Sequence, residues 1–318
     1  MLTSIDEALD RSEQDAAVES ILISGDGDRG LCAGGDVRLL WGMDEQAATS
    51  FWALEYRLNS RIASHPVPIV ALMDGIVMGG GMGISMHAKV RVVTERSRLA
   101  MPEVQIGLSP DVGGLHRLAL APGEVGTHLA LTGGSIGAAD GIAIGLADIE
   151  IPSPRIPAFI ADLERDGLTA AVDRHRGAEP GTSELIAARS WIDEGYAAES
   201  VPEILARLDA AALAANGGAA LLAAEQIRRA SPTAVAVALG AIRNARAWQS
   251  LDRVLEQDLR TSVGVLRQGD LHEGIRALVI DKDRAPRWSP SAAEDVDEAD
   301  VDAILTGTYP AAASNPPK

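Results

Sequence analysis

Residues 68–83 read PIVALMDGIVMGGGMG, a short apolar run that breaks into a cluster of glycines. An apolar run of this length is a buried strand. Glycines close behind it let the chain turn sharply into a helix whose backbone a ligand can approach closely. A little further on, MPEVQIGLSPDVGG (residues 101–114) places two acids, Glu103 and Asp111, in an otherwise apolar segment. Carboxylates in such surroundings can have their acidity tuned for chemistry, so the stretch points to an active site on a strand-and-helix framework.

The flanking sequence keeps the same alternation. Helical spacing over residues 3–15 leads into a strand at 18–24, and a longer helical pattern over 45–63 stops at His65-Pro66-Val67-Pro68 before the strand at 69–73. A helix over 80–88 follows, then strands at 90–94 and 98–101, helices at 124–131 and 138–144, and a returning strand at 147–151. This is the pattern of an α/β architecture with a buried, partly parallel sheet. From about residue 156 strand signals nearly vanish, and alanine, leucine and arginine at helical spacing dominate 203–213, 219–229, 232–245 and 247–267. The expected organisation is a core over residues 1–200, a helical region over 201–310 and a disordered tail over 311–318. The sequence carries no internal repeat.

Charge and cysteine usage narrow the function classes. With 28 basic and 45 acidic residues the net charge is −17, which repels nucleic acid and anionic membranes at long range. A small polyanion could still bind through a local basic patch or backbone N–H groups. There is no apolar run of transmembrane length and no signal-peptide pattern at the start, so the expected location is cytoplasmic. The lone cysteine, Cys32, excludes an internal disulfide or multi-cysteine metal site.

Each candidate residue has a plainer reading beside the functional one. The cluster MGGGMG (78–83) lacks the endings of phosphate and dinucleotide loops. Its N–H groups suit an oxyanion, although a tight strand-to-helix crossing would also require glycine. LCAGGD (31–36) is a second glycine turn after a strand, and two donors from separate loops suit an oxyanion hole. Cys32 is a possible thiol nucleophile, but its apolar neighbours favour packing. Glu103 suits a general base or nucleophile, while it and Asp111 could equally be caps or surface acids. Glu55, in FWALEYRLN, reads first as a solvated helix face, as does the acidic run SAAEDVDEADVD (291–302).

In order and spacing, GLCAGGD, PIVALMDGIVMGGGMGISMH and AMPEVQIGLSPDVGG resemble the enoyl-CoA hydratase/isomerase (crotonase) superfamily, and within it the 3-hydroxyisobutyryl-CoA hydrolases. SPTAVAVAL and GDLHEGIRALVIDKDRAPRWSP are similar to the same subgroup, so the resemblance covers nearly the whole chain. It implies a crotonase-like (ClpP/crotonase) spiral of ββα units with a helical C-terminal region. The family's oxyanion donors would fall on the Gly35 and Gly80 N–H groups, and its catalytic glutamate on Glu103. That glutamate would act through an activated water or by direct attack. Asp111 would meet the substrate hydroxyl or reacting water, and Glu55 would be a further substrate contact.

The resemblance also implies an acyl-CoA substrate, no metal or redox cofactor, no nucleic-acid or membrane partner, and a trimer or hexamer as the possible oligomer. Hydratases of the family use a second glutamate where this chain has Gly83, and usually glycine where it has Asp111. Both departures favour hydrolysis of a 3-hydroxyacyl-CoA, as in valine breakdown, over hydration or isomerisation of an enoyl-CoA. Relatives begin with a strand pair ahead of the helix that opens this chain. An unpaired sheet edge and a weakened coenzyme A site are therefore expected, with a non-catalytic acyl-CoA-binding paralogue as the remaining alternative.

Overall fold

The computed structural model describes residues 1–177, 181–214 and 217–308. The tail expected at 311–318 lies outside the described residues. In chain order the first half forms α1 (Leu2–Gln14), β1 (Ile21–Ile23), α2 (Val37–Trp41), α3 (Glu45–Ser64), β2 (Ile69–Met73), β3 (Ile76–Met78), α4 (Gly80–Gly83), β4 (Val90–Val93) and β5 (Arg98–Ala100). After a 3₁₀ turn (Glu103–Ile106) come α5 (Gly114–Ala119), α6 (Val125–Thr132), α7 (Ala138–Ala143) and β6 (Ile149–Glu150).

Four strands make one all-parallel sheet ordered β1-β2-β4-β6, with Ile21 opposite Ile69, Val70 opposite Val90 and Val92 opposite Ile149. A second parallel pair, β3-β5, is extended by single bridges from Cys32 to Val77 and from Leu99 to Ile136. The chain therefore lays one extended segment in each sheet and then a helix, turn after turn. The repeat that the sequence hides is present in space, in short units whose side chains differ.

The main sheet is a middle layer. Every residue of β2 is buried because both faces are covered, as its unbroken apolar run requires. Ile69, Ala71 and Met73 join the larger apolar cluster, whereas Val70 and Leu72 face a smaller one built with Val92 and Phe159. The smaller cluster is covered by α8 (Ile156–Asp166) and α9 (Leu168–His175).

The remaining elements are helical: α10 (Glu184–Ala187), α11 (Arg189–Tyr196), α12 (Val201–Ala212), α13 (Gly218–Arg229), α14 (Pro232–Trp248), α15 (Leu251–Gln268), α16 (Asp270–Ile275), a π-helical turn (Arg276–Ile280) and α17 (Glu298–Thr306). The larger cluster runs from Leu9 to Ile304, so residues on both sides of position 200 share one core. No helix among the described residues is long and apolar enough to cross a membrane.

Several boundaries differ from expectation for identifiable reasons. The helix expected over 80–88 ends at Gly83 and continues as tight turns, with Ser85 and Ala88 bonded three residues back. The helices α14 and α15 are separated by Gln249, which adopts a left-handed conformation with φ of 50°, and by Ser250, whose hydroxyl caps the Arg253 N–H. Overlapping the end of the acidic run, α17 buries Ile304 against Gly264, so that helix has a packed face as well as a solvated one.

Candidate active site

Glycines bring the two loops together. An added Cβ at Gly80 would lie 2.7 Å from Glu55 Oε1 and 3.6 Å from the Gly35 nitrogen. One at Gly79 would meet Glu103 Oε1 at 3.0 Å, and Gly79 has a φ of 52°, which side chains rarely adopt. Behind them a Cβ at Gly81 would lie 2.1 Å from the Cys32 carbonyl oxygen. The second loop is therefore wedged between the first loop and two carboxyl groups. Neither the Gly35 nor the Gly80 N–H is used in a backbone hydrogen bond. Both residues line a cavity of about 250 Å³, where these donors remain available.

The same cavity is lined by Glu55, Glu103 and Asp111, so five of the residues singled out in the sequence meet there. They arrive from different elements: Glu55 from α3, Glu103 from the 3₁₀ turn behind β5, and Asp111 from the loop before α5. Asp44 starts α3 by capping the Ala47 N–H at 2.8 Å, and the helix ends as His65 turns extended before Pro66. Its buried stripe contains Trp52, Glu55, Tyr56 and Asn59. Contrary to the solvated-face reading, Glu55 is only 6% exposed.

Apolar walls govern the acidities. Burial, followed by the charge of Asp111, pushes Glu55 up to about 8 and Glu103 well above the ordinary carboxylate range. Asp111 rises to about 6 through burial, offset by a hydrogen bond that favours its ionised form. The donor is the Tyr56 hydroxyl, 2.6 Å from Asp111 Oδ2. Tyr56 is also 2.9 Å from the Ser262 hydroxyl on α15. The Tyr56 hydrogen bond thus favours the ionised form of Asp111, whereas burial favours the protonated forms of Glu55 and Glu103.

The C-terminal helices brace the Asp111 loop from behind. The helix α15 runs antiparallel to α3, with Arg267 paired to Glu45 and Ser60 bonded to Asp252. It places Asp258 Oδ2 2.8 Å from the Gly113 N–H, which it accepts. Burial and the charge of Asp111 push Asp258 well above its usual range. Tyr56, Asp258 and Ser262 were missed by sequence reasoning. The signal available for Asp258 was an acid on the apolar stripe of α15, between Val254, Leu255, Val265 and Leu266.

Two other sequence candidates have clear structural roles. Cys32 lies in the bridge to Val77, with its Sγ 3.6 Å from the Gly34 carbonyl, and does not line the cavity. It packs behind the loop. At Gly83 an added Cβ would lie 2.8 Å from Val112 Cβ and 2.9 Å from Asn59 Nδ2. A glutamate there would have no room without moving Val112, which is next to Asp111.

Comparison with known proteins gives a consistent result. The profile of the enoyl-CoA hydratase/isomerase family matches residues 1–305. The chain belongs to this family. Among its relatives, the mitochondrial 3-hydroxyisobutyryl-CoA hydrolase of Gallus gallus is 35% identical over 305 residues, covering 91% of this chain and 77% of that one. The mitochondrial hydrolase of Homo sapiens is 33% identical, covering 95% of this chain and 80% of its own. Of solved structures, a carnitinyl-CoA dehydratase from Mycobacterium thermoresistibile is similar with a TM-score of 0.90 and 44% identity, covering 96% of this chain and 88% of that one. An enoyl-CoA hydratase from Rhodobacter sphaeroides 2.4.1 gives 0.89 and 40%, covering 96% and 89%.

As a member of the enoyl-CoA hydratase/isomerase family the chain is an acyl-CoA enzyme of crotonase fold. Its C-terminal motifs brace the segment that carries Glu103. The Ser231 N–H donates to the Val104 carbonyl at 3.1 Å, and the Ser231 hydroxyl donates to Asp270 Oδ2 at 2.6 Å. Asp270 Oδ1 accepts the Ser289 N–H at 3.0 Å. The backbone of α16 passes so close that a Cβ at Gly107 would lie 2.5 Å from the Asp270 carbonyl. SPT, GDLHEG and RWSP thus converge on the turn behind Glu103.

Proposed function

We propose that the chain hydrolyses a 3-hydroxyacyl-CoA thioester, with 3-hydroxyisobutyryl-CoA as the substrate and 3-hydroxyisobutyrate and coenzyme A as products. The observation carrying this reading is the carboxyl arrangement. Gly83 is packed against Val112 and Asn59 where a second hydratase glutamate would stand, whereas Asp111 joins Glu103 and Glu55 at the cavity. The curated hydrolases cited above support it.

In this reading the thioester oxygen accepts the Gly35 and Gly80 N–H groups. Loss of one such donor typically costs about 3 kcal/mol in the transition state. Ionised Glu103 takes a proton from the attacking water, or attacks the carbonyl itself to form an anhydride that water then opens. Either route expels the coenzyme A thiolate, which is protonated on release. Asp111, held by Tyr56, accepts a hydrogen bond from the substrate 3-hydroxyl or the water, and Glu55 contacts the acyl group.

Hydration of an enoyl-CoA is a second reading, favoured by the likeness to the solved dehydratase and hydratase at 44% and 40% identity. Free thiol released from 3-hydroxyisobutyryl-CoA and loss of the conjugated double bond of crotonyl-CoA separate the two. Hydrolysis predicts thiol release that falls at least a hundredfold in Glu103→Gln. Rapid hydration of crotonyl-CoA without thiol release would overturn it. Equal, negligible rates in wild type and variant, with substrate still bound, would support a binding protein instead.

A further inference from the structure

A second cavity, of about 520 Å³, lies where the end of α3 meets the starts of β2 and β4. His65, His87, Lys89, Arg91 and Arg117 line it, and no acidic residue does. In a chain of net charge −17 this concentration of basic groups reverses the overall balance.

Two of its cations have no ion pair among the described residues. Arg91 is held in a fork by Asp148, at 2.9 Å and 2.6 Å, and His65 Nε2 lies 3.2 Å from Glu13. The Arg117 guanidinium has no hydrogen bond or ion pair among the described residues, and its Nε is buried without a partner. Burial and repulsion from Arg91 lower its pKa, with only Asp148 opposing. Lys89 is exposed and has no ion pair among the described residues. Burial pushes His87 down to about 3, so its neutral ring donates Nε2–H to the Val112 carbonyl at 2.8 Å and adds no charge.

A desolvated guanidinium without an anion is costly, and Arg presents a planar fork that matches phosphate oxygens. We propose that this cavity binds a phosphoryl group, free or as the monoester of a small metabolite, between Arg117 and Lys89. Its volume lies within the roughly 300–1,000 Å³ of small-molecule sites and exceeds what an inorganic ion fills. Ile62, Pro66 and Ile69 offer apolar contact for an organic remainder. The proposal is independent of the thioester reading, since none of these residues lines the cavity of Glu103.

Calorimetric titration of the whole chain tests it, using inorganic phosphate and glycerol 3-phosphate in a zwitterionic buffer with ionic strength held by chloride. We expect one saturable site per chain, weakened at least tenfold in Arg117→Gln or Lys89→Gln. Lys89 is exposed, so its variant keeps the test valid if loss of Arg117 disturbs folding. Tighter binding of glycerol 3-phosphate marks a monoester site, and equal binding marks free phosphate; both support the assignment. Absence of saturable binding at millimolar ligand, or affinity unchanged in both variants, overturns it.

Discussion

Glu55→Gln should stabilise the protein, and the gain should grow with pH. The Glu55 carboxyl is pushed from its ordinary 4.5 up to about 8 by burial and the Asp111 charge. Between these values the unfolded chain binds fewer protons than the folded one, so stability from this group falls as pH rises. At pH 7 the expected penalty is about 3 kcal/mol, set mainly by how far pH 7 lies above the unfolded value, and at pH 5 it is under about 1 kcal/mol. Glutamine is nearly isosteric and carries no such penalty. Urea denaturation of both proteins at pH 5, 6 and 7 should therefore show curves that diverge by about 2–3 kcal/mol, equivalent to a melting shift of about 5 °C at pH 7. In the variant Glu103 also loses the repulsion of the Glu55 charge, which acts in the same direction as the direct effect. If stability varies in parallel with pH in wild type and variant, the desolvation argument for this site is refuted.

Three further outcomes follow from the same geometry. Tyr56→Phe removes the donor that favours ionised Asp111, so the acid limb of the kcat/KM profile should move to higher pH. At neutral pH the rate should fall about tenfold, as expected for losing a hydrogen bond to a charged group. In the wild-type protein kcat/KM for thiol release should keep rising with pH beyond the ordinary carboxylate range, because Glu103 must lose a proton that burial helps it keep; a falling profile would contradict its role as base or nucleophile. Gly81→Ala sets a methyl against the Cys32 carbonyl, so urea denaturation should show a loss of about 2 kcal/mol or more, accompanied by lower activity as the neighbouring Gly80 N–H moves.

What was legible depended on how local the signal was. The run forming β2 is apolar throughout because both its faces are covered, and α3 carries its own cap and its own proline stop. By contrast β3 has three residues with exposed, buried and partly buried positions in turn, too short for any periodicity to register. Residues of the candidate site divide in the same way. Gly35, Gly80, Glu103 and Asp111 sit in ordered motifs, whereas Asp258 gains its meaning only from the Gly113 N–H, 145 positions away. Glu55 was legible by resemblance but not by its surroundings, because the elements burying it come from distant parts of the chain. Tyr56, its immediate neighbour, depends on Ser262, 206 positions on.

These long spans have a consequence for biosynthesis. After Gly113 leaves the ribosome, 145 more residues must be added before Asp258 can take its N–H, which at about 5–20 residues per second takes roughly 7–30 s. Until then the Asp111 loop lacks its brace, and the apolar side of α3 lacks the helix that shields it. A growing chain can form the sheet early yet braces the Asp111 loop only once α15 has been made. Through that interval the stripe of α3 that carries Trp52, Tyr56 and Leu58 stays open to water.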